Sequence, residues 1–266
     1  MEKNRKRIIF ILIFAILLVI FYILFLQEKK NTYLLKEFDK QGKLIGTNEY
    51  ILKNGDTIFQ GKFINYNNQG IKIAEGNFTN GDIQGKCKYY YDNGKLKSIH
   101  YRKSSKITLE SKEYYYNGKE KRYTLYDYGL FDDYGKPTFS ILFKENGKIK
   151  NIQGKSIIEI YQLKLLNKDF FKIKENQYLK VGDTLIHKYL IANIPNAKRS
   201  IKIENISVDN SKVKRTLKHI EPCQWDVEEV LTKKGKNTIQ SIVKYEFKDK
   251  VTPVFIDTLS FDIEVH

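Results

Sequence analysis

Few residues in this 266-residue chain have types and spacings that could support catalysis. Asp132 and Asp133 are adjacent acids in "LFDDYGKP", and Glu228 and Glu229 are adjacent in "DVEEV". Two carboxylates can hydrolyse a glycosidic bond when they face each other across the substrate. Adjacent acids beside a turn are typical of solvated loops, and no nucleophile motif, phosphate loop or dinucleotide fingerprint accompanies them. The sequence therefore predicts no enzyme, no catalytic residue and no bound cofactor, with an envelope glycan hydrolase as the enzymatic alternative.

The cysteines and histidines do not predict a metal site. Cys87 and Cys223 are far apart in the sequence, and two cysteines do not form a disulfide framework. His219 and Cys223 in "HIEPC" have a spacing that could share a metal ion, but a site needs further ligands that the neighbouring sequence lacks. Whether the two thiols pair with each other is left open by the sequence.

Tyrosines give the best candidate for binding chemistry. The segment "KYYYDNGKLKSIHY" at 88–101 is followed by the similar "KEYYYNGKEKRY" at 112–123. Exposed aromatic and basic side chains together are typical of contact surfaces. Because side chains alternate across a strand, only some of each triplet can face solvent. The candidate partner-binding residues are Tyr66, Tyr89, Tyr90, Tyr91, Tyr114, Tyr115 and Tyr116.

An internal repeat is expected to position these tyrosines. Turn glycines recur at Gly70, Gly94 and Gly118, so the interval is 24 residues in both cases. A second set of Asn-Gly turns, at Gly55 and Gly81, interleaves with the first. Asn-Gly accepts the positive φ angles of tight two-residue turns, and the flanking residues alternate apolar with charged ones. Each unit is predicted to be a β-hairpin, stable only when stacked beside its neighbours.

The stretch "GKFINYNNQGIKIAEGNFTNGDIQGKCKYYYDNGKLK" resembles the bacterial variant of the MORN repeat. The resemblance covers about 37–150, and similar repeats occur in antitoxins of the YwqK type. It implies a protein or membrane interaction scaffold rather than a catalyst, with an antitoxin or immunity-like protein that binds a toxin as the alternative. The chain departs from the pattern after Tyr101, where "RKSSKITLESKE" replaces the expected second Asn-Gly turn.

Longer alternating segments after Ile152 predict a second β module. Five segments have strand character and are separated by Gly, Pro, Asn or Asp: 184–194, 199–208, 212–220, 237–248 and 254–265. Their number and length predict a β-sandwich with a loose resemblance to bacterial Ig-like domains. In the fourth segment the inward set is either Ile239, Ser241, Val243 and Tyr245 or Ile242, Tyr245 and Phe247. Trp225 is expected in the core or at its rim, and "DVEEV" is expected to form a short helix or an acidic edge.

The first thirty residues contain an apolar run from Ile8 to Leu26 with no charge, proline or glycine. A bilayer core about 30 Å thick requires roughly twenty helical residues, so this run predicts a transmembrane helix. The preceding Lys and Arg residues favour a cytoplasmic N-terminus, and the bulky residues at the end of the run favour an uncleaved anchor over a cleaved signal peptide.

The predicted fold is mainly β: an N-terminal transmembrane anchor at 1–30, a MORN-like hairpin sheet at 31–150 and a β-sandwich at 151–266. The predicted function is a non-enzymatic scaffold or binding module in the cell membrane of a bacterial envelope, with its bulk extracytoplasmic. The net charge of +16 comes from scattered lysines, which favours a protein partner, or an anionic envelope polymer or lipid, over nucleic acid.

Overall fold

The computed structural model describes residues 32–127, 135–162, 179–249 and 251–266. These residues form seventeen β-strands and one 3-10 turn, and none of them forms an α-helix. The prediction of a mainly β chain is confirmed.

The predicted fold class is wrong in including a transmembrane helix. The described residues form strands joined by turns and loops, and no helix among them has the length and apolar character that crossing a bilayer requires. The apolar run from Ile8 to Leu26, on which that prediction depended, lies outside the described residues.

The first ten strands form one antiparallel sheet in which each strand pairs with its neighbours in the sequence. The order is therefore that of successive hairpins. Their bounds are Tyr33–Phe38 (β1), Leu44–Lys53 (β2), Asp56–Tyr66 (β3), Lys72–Thr79 (β4), Asp82–Tyr90 (β5), Leu96–Arg102 (β6), Thr108–Tyr114 (β7), Glu120–Asp127 (β8), Lys136–Phe143 (β9) and Ile149–Gly154 (β10).

Two kinds of turn alternate along this sheet. Between β2 and β3, Asn54 and Gly55 both have positive φ, and Lys53 pairs directly with Asp56. This is the two-residue hairpin turn that Asn-Gly favours. A second such turn, at 80–81, joins β4 to β5.

The turns at the opposite ends of the strands are longer than the predicted two-residue type. The Tyr91 carbonyl accepts a hydrogen bond from the Gly94 N–H, and the Tyr115 carbonyl accepts one from the Gly118 N–H. Only the glycine of each turn has positive φ, +79° and +81° respectively, which fits a type I turn closed by a glycine bulge. Similar turns follow β1, β3 and β9, so five glycine-bulge turns occupy one border of the sheet.

Cross-strand pairing assigns the side chains of the sheet to two faces. One face, called the core face, carries the opposed series Glu75, Lys88, Ile99, Lys112 and Tyr123. The other, called the groove face, carries the opposed series Cys87, His100, Ser111, Thr124 and Ser140.

The remaining seven strands form two smaller antiparallel sheets. The four-stranded sheet has the order β11-β12-β15-β14, and the three-stranded sheet has the order β13-β16-β17. Buried side chains from both sheets share one core, so the two sheets pack as a β-sandwich. The strands are Ile157–Gln162 (β11), Thr184–Ile191 (β12), Ala197–Asn205 (β13), Arg215–Ile220 (β14), Gln224–Val230 (β15), Gly235–Phe247 (β16) and Phe255–Val265 (β17).

Strand β16 decides between the two inward sets that the sequence left open, and strand β15 corrects the prediction made for "DVEEV". Along β16 the buried set includes Ile239, Ser241, Val243 and Tyr245, the first of the two predicted alternatives. The expectation of a helix or an acidic edge at "DVEEV" is wrong, because these residues lie in β15, between β12 and β14. Its period-two burial, with Val227 and Glu229 inward and Glu228 outward, explains the strand.

The core is continuous from the last strands of the large sheet into the sandwich. Leu125 and Phe139 belong to the same buried cluster as Ile157 and Tyr245. At this junction the Tyr123 hydroxyl donates to Glu110 Oε2 over 2.9 Å and accepts the Asn193 N–H over 2.7 Å. The Tyr123 and Glu110 side chains are fully buried, and burial raises the pKa of each of these two groups.

Candidate functional site

The repeat places five of the seven candidate tyrosines in three kinds of position. Tyr89 lies on the groove face, opposite Ser98. Tyr90 lies on the core face, where its hydroxyl reaches Glu75. Tyr91 begins the glycine-bulge turn. Moving 24 residues along the chain places Tyr114 at the equivalent of Tyr90, and Tyr115 at the equivalent of Tyr91.

Two tyrosines fasten neighbouring hairpins together. The Tyr91 hydroxyl donates to the Tyr114 carbonyl over 2.8 Å, and the Tyr115 hydroxyl donates to the Phe143 carbonyl over 2.9 Å. Each bond spans from one hairpin to the next and satisfies a backbone acceptor. Tyr91 and Tyr115 are half-buried, so their first role is to hold the stack of hairpins.

A lysine lies over each of these tyrosine rings. Lys97 Nζ is 5.9 Å from the centre of the Tyr91 ring, and Lys121 Nζ is 5.9 Å from the centre of the Tyr115 ring. Both distances lie within the range of a cation–π contact. The structure therefore repeats one Tyr–Lys unit at the 24-residue interval.

Tyr116 is the exposed member of the candidate set, at 57% exposure, whereas the other six are partly buried. Its ring stacks on Tyr91 with 4.0 Å between the ring centres and 24° between the planes. The Tyr116 carbonyl accepts a hydrogen bond from Lys95 Nζ over 3.2 Å. Stacking and this hydrogen bond fix a large aromatic surface that still faces solvent.

The two Tyr–Lys units, the stacked Tyr116 and the lysines directly after the turn glycines lie together. We call this set the tyrosine-lysine border. Its members are Tyr91, Lys95, Lys97, Tyr115, Tyr116, Lys119 and Lys121.

A groove of about 720 Å³ adjoins this border and opens on the groove face. It is lined by Tyr89, Lys97, His100, Arg102 and Lys121, among others. The basic side chains give the groove a positive lining, which the carboxylates of Asp92 and Glu113 only partly offset.

The floor of the groove contains a neutral imidazole packed against an aromatic ring. Tyr89 packs edge-on against His100 with 5.1 Å between the ring centres. Burial, and then the charge of Arg102, lowers the pKa of His100 to about 4, so the ring is uncharged at neutral pH. The Arg102 guanidinium donates to the Ser105 carbonyl and to the Tyr89 hydroxyl.

Tyr90 belongs to an ionic network on the core face. Its hydroxyl donates to Glu75 Oε1 over 2.5 Å, while Lys72 and Lys88 each place Nζ within about 3 Å of the same carboxylate. The hydrogen bond from Tyr90 is the largest of the effects that lower the pKa of Glu75 to about 2. This network links β4 to β5 through charge-assisted contacts and engages the Tyr90 hydroxyl.

Of the two adjacent acidic pairs considered for catalysis, one lies outside the described ranges and the other lies in β15. Asp132 and Asp133 are not among the described residues. Glu229 is fully buried and accepts bonds from Arg215 Nε and NH2 over 2.8 and 2.6 Å. The buried carboxylate therefore has its counter-charge on the neighbouring strand, and removing that charge alone would be costly.

The residues considered for a disulfide or a metal site, Cys87, Cys223 and His219, all lie within the described ranges. Cys87 and Cys223 are both free and fully buried, and burial raises the pKa of each thiol. Within the described ranges no three potential ligands cluster as a metal site. His219 stacks on Trp225 with 4.5 Å between ring centres, which places this histidine against an aromatic ring.

Sequence reasoning missed the lysines of the border. Lys95 and Lys97 follow Gly94 as Lys119 and Lys121 follow Gly118, so the 24-residue alignment contained the pattern.

Neither the protein-family models nor the curated proteins give a match to this chain.

Proposed function

We propose that the protein is a non-enzymatic binding module that holds an acidic protein partner on its tyrosine-lysine border. The observation that carries the proposal is the repeated Tyr–Lys unit beside the exposed, stacked Tyr116. A rigid aromatic surface surrounded by cations is suited to a partner that presents carboxylates around an apolar centre.

The charge state of the border supports this proposal. Lys95, Lys97, Lys119 and Lys121 take part in no ion pair with any carboxylate in the described ranges, whereas Lys72 and Lys88 are paired with Glu75. Their ammonium groups can therefore bind a partner's carboxylates without first breaking an internal salt bridge.

The spacing of the lysines gives the partner a geometry. Equivalent residues in the two units are separated by two strands of the sheet, which corresponds to about 10 Å. An acidic segment in the polyproline II conformation rises about 3.1 Å per residue and has three residues per turn, so every third side chain points the same way. Carboxylates three residues apart, about 9 Å from each other, would therefore reach Lys97 and Lys121 in turn.

The test measures binding of a fluorescein-labelled poly-glutamate peptide to the full chain by fluorescence anisotropy. The double variant Lys97→Gln/Lys121→Gln is compared with Lys198→Gln/Lys218→Gln, which removes two exposed lysines from the sandwich. At about 0.5 kcal/mol for each exposed charge contact, the border variant should bind about fivefold more weakly. The sandwich variant should bind as the parent does.

Three results would contradict the proposal. Equal losses in both double variants would mean that the peptide senses only the net charge of +16. If the double variant Tyr116→Ala/Lys97→Gln keeps full affinity for the peptide, the border is not the contact surface. Weakened binding of the border variant to phosphatidylglycerol vesicles alone, with peptide binding unchanged, would replace the protein partner by an anionic lipid surface.

A further inference from the structure

Strand β1 is an open and apolar edge of the ten-stranded sheet. Among the strands that the structure describes it pairs with β2 alone, and all six of its residues are exposed. Tyr33, Leu34, Leu35 and Phe38 are between 39% and 56% exposed. An exposed apolar edge strand also presents a row of backbone N–H and C=O groups that another strand can bind.

The far edge of the same sheet is protected. Strand β10 places Ile149 and Ile152 against the shared core and has a polar remainder, "KN" and "QG". Strand β14, an edge of the sandwich, exposes one large apolar side chain, Leu217. Four of the twelve exposed large apolar side chains in the described ranges lie within β1, so this edge differs from the others.

We propose that β1 pairs antiparallel with β1 of a second copy of this chain, so that two ten-stranded sheets join edge to edge about a twofold axis. Such an axis, perpendicular to the sheet, requires each residue to oppose one on the same face. The register centred on Leu35 meets this condition. It places Leu35 opposite Leu35, Leu34 opposite Lys36, and Tyr33 opposite Glu37 of the other copy.

The sequence of β1 is self-complementary in this register. No like charges oppose each other, Leu35 finds an apolar neighbour, and the Tyr33 hydroxyl can donate to the Glu37 carboxylate. A register centred one residue later would oppose Lys36 to Lys36. The strand itself is neutral, since Lys36 balances Glu37, and this local neutrality permits self-association although each chain carries +16.

Pairing of two six-residue strands buries less surface than a standard stable interface, so the dimer is expected to be weak and dependent on concentration. Covalent trapping detects such a complex. Directly opposed residues in an antiparallel pair have Cα atoms about 4.5–5.5 Å apart, which is within the range that a disulfide spans. The native thiols do not interfere, because Cys87 and Cys223 are fully buried.

The experiment oxidises single-cysteine-addition variants of the full chain in mild detergent with copper phenanthroline and quantifies the covalent dimer on a non-reducing gel. Leu35→Cys should cross-link at least fivefold faster than Leu34→Cys, whose side chain lies on the other face. The matched control is Leu217→Cys, an exposed leucine on the edge strand β14. An equal mixture of Tyr33→Cys and Glu37→Cys should cross-link, whereas each alone should not.

Similar rates for Leu35→Cys, Leu34→Cys and Leu217→Cys would overturn the proposal, because association through any other surface lacks this pattern of positions. Absence of cross-linking in every variant, with circular dichroism showing native strands, would overturn it as well. The proposal is independent of the binding module: Tyr116→Ala should leave the cross-linking rate of Leu35→Cys unchanged.

Discussion

Replacing Tyr90 with phenylalanine tests whether the middle tyrosine of a triplet supports the fold or binds a partner. The substitution removes the hydroxyl that donates to Glu75 Oε1 and keeps the ring. A hydrogen bond to a charged group contributes about 1.5–3 kcal/mol, so Tyr90→Phe should lower the free energy of unfolding by that amount at pH 7. Affinity for the acidic peptide should not change.

The pKa of Glu75 sets how this effect depends on pH. A folded-state pKa of about 2, against an ordinary value of 4.5, stabilises the fold above pH 4.5, and this stabilisation is lost as the pH falls toward 2. For a single group with these values, about 2 kcal/mol should be lost between pH 7 and pH 3. Because Tyr90→Phe raises the pKa of Glu75, the variant should lose less over the same interval.

The assay is urea denaturation followed by circular dichroism at pH 7 and pH 3. The matched control is Tyr66→Phe, which lies 24 residues earlier at the equivalent position. Among the described residues no partner accepts a hydrogen bond from the Tyr66 hydroxyl. If Tyr90→Phe and Tyr66→Phe have the same effect, or if both lose stability equally between the two pH values, the assigned role of Tyr90 is wrong.

Three further predictions concern buried groups. Arg215→Met should cost about 3–5 kcal/mol of unfolding free energy because it leaves Glu229 buried without its partner, and adding Glu229→Leu should restore most of that loss in denaturation experiments. Gly76→Ala should cost about 1–3 kcal/mol, since its Cβ would lie 2.7 Å from Cys87 Sγ; an unchanged melting temperature would contradict this packing. Neither Cys87 nor Cys223 should react with a maleimide in the native protein at pH 8, and both should react in urea, as measured by mass spectrometry.

The turns were the most predictable part of the fold. Gly70, Gly94 and Gly118 all have positive φ, because few other residues tolerate the left-handed region at these positions. The turn type was not predictable from the Asn-Gly pair alone. It depends on the residues before the pair: Tyr91 accepts the closing hydrogen bond from Gly94, and Asn93 has no positive φ, in contrast to Asn54.

The segment "DVEEV" shows why a charged strand is difficult to predict. Glu229 is buried because Arg215, 14 residues away in the sequence, supplies its counter-charge from the neighbouring strand. Local composition predicts an exposed helix or edge, since a carboxylate seldom enters a core without a partner. The pairing is a tertiary property, and the alternation of Val227 with Glu228 was the one local sign of a strand.

The groove and the exposed tyrosine were also beyond the sequence. Alternation assigns the tyrosines of a triplet to the two faces of a strand, but it does not say which face meets solvent. Glycine-bulge turns decide it: Tyr115 begins its turn and reaches the Phe143 carbonyl, so Tyr116 projects toward the ring of Tyr91 in the neighbouring hairpin. Lys95 then fixes the backbone of Tyr116 from that same neighbouring hairpin.

The hydroxyl groups explain why the repeat uses tyrosine rather than phenylalanine. In Tyr90, Tyr91 and Tyr115 the hydroxyl reaches across to a neighbouring hairpin and satisfies a carboxylate or a backbone carbonyl there. Phenylalanine would supply the ring alone and leave those acceptors without this donor. The fold therefore engages most of the tyrosine chemistry that first suggested a binding surface. What remains for a partner is the exposed face of Tyr116 and lysines at a fixed interval, so recognition should depend on the spacing of a partner's charges rather than on its number of aromatic contacts.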